Sequence, residues 1–263
     1  MPPLPELPSS PCVQPSSRLA LLHGWGLGPG VWAGAFDALA PATPRRLALP
    51  GYACTPDPGE DFQACADRLA AELPEGSVLC AWSLGGQLAL QAALAHPGHW
   101  RGLVLVGATP CFVRAHDWPH AQAATVLDEF SRGVAQAPEA ALIRFAALVH
   151  QGDARARALT RASQQQVRTA GAALPTTNTL HTGLAWLRDT DLRSSLSALD
   201  LPCLLVHGDQ DAVVPLPAAQ ALAASLPRAR LAVLPGAAHA PFLSDPDWFA
   251  HQVLAFCHDP NAA

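Results

Sequence analysis

The chain has no lysine. All 16 of its basic residues are arginine, set against 21 acidic residues for a formal net charge of −5 at pH 7. An acidic chain whose one arginine-rich stretch is poor in aromatics lacks the footprint of a nucleic-acid binder, so nucleic acid is not expected as a partner. No apolar run approaches the roughly 18 residues of a membrane helix, and no membrane span is expected. The seven cysteines, at 12, 54, 65, 80, 111, 203 and 257, are odd in number and show no C-x-x-C spacing. A disulfide framework and a metal site are therefore not expected, and a reducing cytoplasm is the simpler location. Residues 1–17 hold prolines and serines but neither a basic nor an apolar signal region, and read as a flexible lead-in. Internal repeats are also missing. What remains is 263 residues with 50% hydrophobic content, enough for one large α/β core or a core with an insertion, with a monomer as the default.

The apolar run Val78-Leu79-Cys80 leads into Ala81-Trp82-Ser83-Leu84-Gly85-Gly86, and a helix-like Ala/Leu segment follows from Gln87 to His96. A serine between a predicted strand and a predicted helix, with glycine two residues on, reads as a nucleophile elbow. The tight turn pushes the hydroxyl outward and leaves backbone N–H groups at the helix N-terminus to hold an oxyanion. Ser83 is the candidate nucleophile; Ala81 stands where the G-x-S-x-G pattern has its first glycine, a departure of one methyl.

A general base is expected late in the chain, after a core strand. Leu231-Ala232-Val233-Leu234 followed by Pro235-Gly236-Ala237-Ala238-His239 has that form, and of 11 histidines only His239 combines this order with a strand before it and a glycine turn. An acid should follow the preceding strand, Cys203-Leu204-Leu205-Val206-His207, to orient the imidazole. Asp209 and Asp211 compete on the Gly208-Asp209-Gln210-Asp211 turn; the G-x-x-D pattern favours Asp211 and leaves Asp209 to cap the turn. Near the N-terminus the strand Leu19-Ala20-Leu21-Leu22 runs into His23-Gly24-Trp25-Gly26, a loop placed to supply an oxyanion donor from Trp25 N–H beside that of Leu84. The chain order Ser83, Asp211, His239 is that of α/β-hydrolases.

Strands are predicted near 19–23, 45–49, 77–81, 102–107, 203–207 and 230–234, and helices near 31–39, 61–73, 84–96, 217–226 and 246–257. This alternation predicts an α/β-hydrolase fold with a mainly parallel central sheet flanked by helices. The rhythm breaks between Val113 and Trp186, which marks 113–186 as an inserted helical cap on a core made of 18–112 and 187–263. The cap carries seven arginines against five acids, and 140–170 carries five arginines against Asp153 alone. An acidic partner could dock there; a solvated helix face is the alternative.

With these residues in place, the chain resembles the pimeloyl-acyl-carrier-protein methyl ester esterases of biotin synthesis, the BioH type. The resemblance runs over most of the chain after residue 17. It rests on His23-Gly24-Trp25-Gly26-Leu27, Leu49-Pro50-Gly51-Tyr52, Trp82-Ser83-Leu84-Gly85-Gly86, Pro110-Cys111-Phe112 with Trp118-Pro119, Arg144-Phe145, Asp191-Leu192-Arg193 and Ala237-Ala238-His239-Ala240-Pro241-Phe242. It implies a cofactor-free serine carboxylesterase that frees methanol from a pimeloyl methyl ester carried on acyl carrier protein. By position it implies Ser83, Asp211 and His239 as the triad, Trp25 and Leu84 as the oxyanion hole, and Phe145 and Val149 beside the acyl chain. Arg144, Arg155, Arg157 and Arg161 would hold the acidic carrier protein. Val149 departs from the family pattern, where a glutamine is expected. A general short-chain carboxylesterase and a catalytically silent binding module are the rival readings.

Overall fold

The computed structural model describes residues 18–53, 55, 59 and 61–259; the lead-in at 1–17, Cys12 and Cys54 lie outside them. Leu19–Leu22 (β1), Arg45–Leu47 (β2), Ser77–Trp82 (β3), Trp100–Val106 (β4), Cys203–Gly208 (β5) and Ala229–Leu234 (β6) form a single sheet in the order β2-β1-β3-β4-β5-β6. Every pairing in it is parallel. β1, β3 and β5 are buried at each residue. Strands covered on both faces need continuous apolar runs instead of alternation, which is what these segments contain. The edge strands β2 and β6 are partly exposed.

Ala33–Ala38 (α1), Phe62–Glu72 (α2) and Leu84–Ala95 (α3) follow the first strands. Ala124–Gln136 (α4), Pro138–Val149 (α5), Ala156–Ala170 (α6) and Thr177–Asp189 (α7) all fall between β4 and β5. Leu216–Ser225 (α8), Pro241–Ser244 (α9) and Pro246–His258 (α10) complete the chain. α2 packs with α3 and α1 with α10, two groups flanking the sheet. Local chemistry sets the ends. Asp61, Thr176 and Asp245 accept from backbone N–H groups at the starts of α2, α7 and α10, and proline occupies the first turn of α5 and α10, where a missing N–H costs nothing. In α6 the buried residues Leu159, Ser163 and Val167 repeat at i, i+4 and i+8, so its arginines face outward.

The segment between β4 and β5 is tied at its base. Cys111 bridges Asp191, Leu192 N–H donates to Pro110 O at 3.1 Å, and Arg193 pairs with both Asp191 and Asp117 at 2.7 and 2.8 Å. The predicted strands and helices lie within about two residues of those observed; β2 ends at Leu47 where 49 was expected, and the 31–39 helix opens as a tight turn at Pro29–Trp32 before α1. α7 runs on past Trp186 to Asp189. Among the described residues no helix is long and apolar enough to cross a membrane.

Candidate active site

Because all six strands run one way, the loops leaving β1, β3, β5 and β6 open on the same edge of the sheet. The chain turns outward from β1 to β2 and returns to β3, which leaves a crevice outside the carboxyl ends of β1 and β3. Ser83 sits there, between β3 and α3, with φ 56° and ψ −119°, and is one of three non-glycine residues at positive φ among those described. A non-glycine residue held in that region is a strained elbow that aims its side chain out of the turn. Ala81 lies inside β3, away from positive φ, so its methyl needs no special conformation. The crowding falls on Gly24 and Gly85 instead. A methyl on Gly24 would lie 2.9 Å from Ser83 Cβ, and one on Gly85 would collide with the His23 carbonyl.

His239 Nε2 lies 3.0 Å from Ser83 Oγ, and His239 Nδ1 lies 2.8 Å from Asp211 Oδ2. A carboxylate can only accept, so in the neutral ring the proton sits on Nδ1 and Nε2 presents its lone pair to the Ser83 hydroxyl. Asp211 and His239 are buried to 6% and 0% exposure, while Ser83 keeps 7% at the cavity floor. Asp211 Oδ1 accepts from Val213 and Val214 N–H, both at 2.8 Å. Asp209 does different work: it accepts from Gly236 N–H at 2.7 Å and is exposed. The competition between the two aspartates therefore ends with Asp211 against the imidazole.

Two aromatic and imidazole side chains that sequence reasoning left unassigned hold this arrangement. Trp82 is fully buried, and its indole N–H donates to His239 O at 2.9 Å, tying the elbow strand to the histidine loop. His207, on β5, donates from Nε2 to Val214 O at 2.8 Å and lies 3.3 Å from Asp211 Oδ2. Burial lowers its pKa, so it stays neutral beside the carboxylate. A residue four positions before the acid on the same strand–turn unit was the signal for His207.

The loop after β1 is equally pinned. Leu49 N–H donates to His23 Nε2 at 3.0 Å, and Gly26 N–H donates to the Tyr52 hydroxyl at 2.9 Å. Burial pushes His23 down to about 4 and raises Tyr52, so both remain neutral at pH 7. Trp25 follows in this loop, its indole donating to Leu180 O at 2.9 Å. Leu84 is the first residue of α3, where a backbone N–H has no acceptor within the helix.

Above Ser83 lies a cavity of about 160 Å³, walled by Trp25, Phe112, Phe130, Phe145, Leu148 and Leu184 among others, with Gln122 as a polar residue of its lining besides Ser83. Phe145 meets the Trp25 ring edge-on at 4.9 Å. Val149 is fully buried one position beyond Leu148, and its carbonyl accepts from His239 N–H at 3.1 Å. The arginines stand elsewhere. Arg144 is exposed on α5 with its guanidinium 5.8 Å from the Phe130 ring centroid, beside a surface groove that Arg132 and Glu129 also line. Arg157 and Arg161 are exposed one turn apart on α6, without a side-chain ion pair among the described residues. Arg155 is exposed too, but its guanidinium is engaged with Ser244 O at 2.7 Å.

A serine whose hydroxyl meets an imidazole oriented by a carboxylate, under an apolar pocket, can be deprotonated as it attacks a carbonyl. The likeness to known proteins is of the same kind. The chain is 44% identical over 239 residues to a pimeloyl-[acyl-carrier protein] methyl ester esterase of Aromatoleum aromaticum, covering 87% of this chain and 93% of that one. It is 38% identical over 234 residues to a protein of the same name from Nitrosomonas europaea, covering 88% and 92%. Among solved structures, an esterase from Exiguobacterium antarcticum superposes with a TM-score of 0.80 at 20% identity over 92% of each chain, a likeness of fold. Residues 19–252 match the alpha/beta hydrolase family, and the chain belongs to that family.

Proposed function

We propose that this chain is a serine carboxylesterase that hydrolyses the methyl ester of a pimeloyl chain carried on acyl carrier protein, a step of biotin synthesis in the cytoplasm. The observation that carries the chemistry is the unbroken hydrogen-bonded series Ser83–His239–Asp211 at the floor of an apolar cavity. The substrate comes from the names of relatives 38–44% identical over most of the chain.

In this reading Ser83 Oγ attacks the ester carbonyl as His239 Nε2 takes its proton, and Asp211 stabilises the imidazolium. The N–H groups of Trp25 and Leu84 stabilise the tetrahedral oxyanion. His239 then protonates the leaving methoxide, methanol departs, and water repeats the sequence on the acyl-enzyme. Residues 113–186 act as a cap that supplies Phe145 and Leu148 to the acyl cavity; Val149, expected beside the acyl chain, lies buried behind the wall and gives its carbonyl to His239 N–H instead. Arg144, Arg157 and Arg161 receive the acidic carrier, with Arg132 adding a cation to the groove beside Arg144. Arg155 belongs to the same surface but spends its guanidinium on the core. The enzyme acts as a monomer.

The test is methanol release from pimeloyl-acyl-carrier-protein methyl ester by the purified protein and by Ser83→Ala. Turnover by the parent with loss in the variant is expected. Cleavage of free short-chain esters alone would replace this reading with a general carboxylesterase, and parent protein that takes no fluorophosphonate label would replace it with a silent binding module.

A further inference from the structure

The turn between α5 and α6 holds a buried carboxylate that the hydrolytic chemistry does not use. Asp153 is 6% exposed. Its Oδ2 accepts from Ala238 N–H at 3.1 Å and from the Ser244 hydroxyl, and its Oδ1 accepts from Arg155 N–H at 2.7 Å. The backbone around it makes parallel connections. His239 N–H donates to Val149 O at 3.1 Å, and Ala154 N–H donates to Gly236 O at 2.8 Å. Arg155 adds its guanidinium on Ser244 O. Residues 149–155 thus grip the loop 236–244 on both sides of His239.

We propose that Asp153 is a positioning residue for His239, acting through Ala238 and Ser244 to hold the imidazole at its distance from Ser83. The proposal rests on the hydrolytic reading of Ser83, His239 and Asp211, and not on the carrier-bound substrate. Both carboxylate oxygens of Asp153 face donors, two of them backbone N–H groups that cannot turn away. An asparagine would set its own NH₂ against one of those N–H groups, so the position demands an acceptor on each side. Gln122 makes the corresponding contact on the other loop. Its Nε2 donates to Ala212 O at 2.8 Å and Val213 O at 2.9 Å, immediately after Asp211. The segment that walls the cavity therefore also supports the two loops that carry the acid and the base, and Asp153 is the side chain through which it holds the residue next to the base, beside the backbone bond from His239 N–H to Val149 O. Small misplacements of a base relative to its nucleophile cost up to about a hundredfold in rate.

The experiment compares the full chain with Asp153→Asn on a free p-nitrophenyl ester and on fluorophosphonate labelling of Ser83, alongside near-ultraviolet circular dichroism. For folded variant, kcat falls about tenfold to a hundredfold with KM within about twofold of the parent, and labelling slows in step. A folded variant with a lower thermal midpoint but parental kcat and labelling rate would make Asp153 purely structural and overturn the proposal. If Asp153→Asn does not fold, Ser244→Ala decides. It removes one donor and leaves the Ala238 bond, so kcat falls several-fold at unchanged KM, and a parental kcat overturns the proposal. A parent that neither hydrolyses the ester nor takes the label removes the hydrolytic reading itself, and this inference with it.

Discussion

The loops that end β5 and β6 and the outer face of α6 are built in opposite ways. The first hold Asp211 and His239 buried, with Val213 and Val214 N–H on the Asp211 carboxylate, Trp82 on the His239 carbonyl and Val149 O on the His239 N–H. The second presents Arg157 and Arg161 to solvent with no counter-charge among the described residues. Reaction chemistry needs distances fixed to fractions of an ångström, and only burial with satisfied hydrogen bonds fixes them. Docking a charged partner needs long, mobile cations whose field reaches outward. Arg155 stands between the two regimes, exposed like its neighbours yet bonded to the histidine loop.

Breaking the enclosed region should have the larger effects. Ser83→Ala should lower ester turnover by about 10⁴-fold or more with the thermal midpoint held, since the hydroxyl is the reacting group. Turnover within tenfold of the parent would remove Ser83 from the chemistry. Asp211→Asn should cost about 10³-fold to 10⁴-fold, because an amide NH₂ facing the ring favours the wrong tautomer. Steady-state kinetics on a free ester would register it, and a loss below tenfold would mean that the imidazole is oriented by something else.

Acid should strike the enclosed region through stability. Burial lowers His23 and His150 to about 4 from an ordinary 6.5, and lowers His207 as well. The unfolded chain therefore binds protons first. The contribution of these rings is complete above about pH 6.5, is lost as pH falls toward 4, and levels off below, with His23 contributing on the order of 3 kcal/mol of that loss. Urea unfolding at pH 7.5 and 4.5 measures it; equal free energies would mean that these rings are accessible to protons in the folded state. The smallest effect belongs to the open face. Arg157→Ala with Arg161→Ala should lower kcat/KM for the carrier-bound ester about tenfold at low salt and scarcely at high salt, with free-ester kinetics held within about twofold. An equal loss on both esters would place these arginines in folding and not in recognition.

The same contrast explains what could be read from the sequence. The strands that precede Ser83, Asp211 and His239 each contain an apolar run with glycine close behind it, and parallel order alone brings their carboxyl ends to one edge. That made the triad legible. The supports were not, because Trp82 to His239 O, His207 to Val214 O and Asp153 to Ala238 N–H span positions whose pairing depends on how loops fold back. Asp153 had been visible only as the lone acid among arginines, which concealed a buried acceptor. Likewise Arg144, Arg155, Arg157 and Arg161 look alike in sequence, and only the path of α6 past Ser244 separates Arg155 from the rest. α7 runs past Trp186 to Asp189, and the contacts of Asp191 and Arg193 with Cys111 and Asp117 follow it, a pairing that composition does not mark.

The most direct measurement is kcat/KM of the purified parent for pimeloyl-acyl-carrier-protein methyl ester against a free pimeloyl methyl ester, each at low and high salt. A clear preference for the carrier-bound ester that shrinks as salt rises is predicted. Equal values for the two esters at every salt concentration would contradict it, leaving Ser83, His239 and Asp211 at work on small free esters.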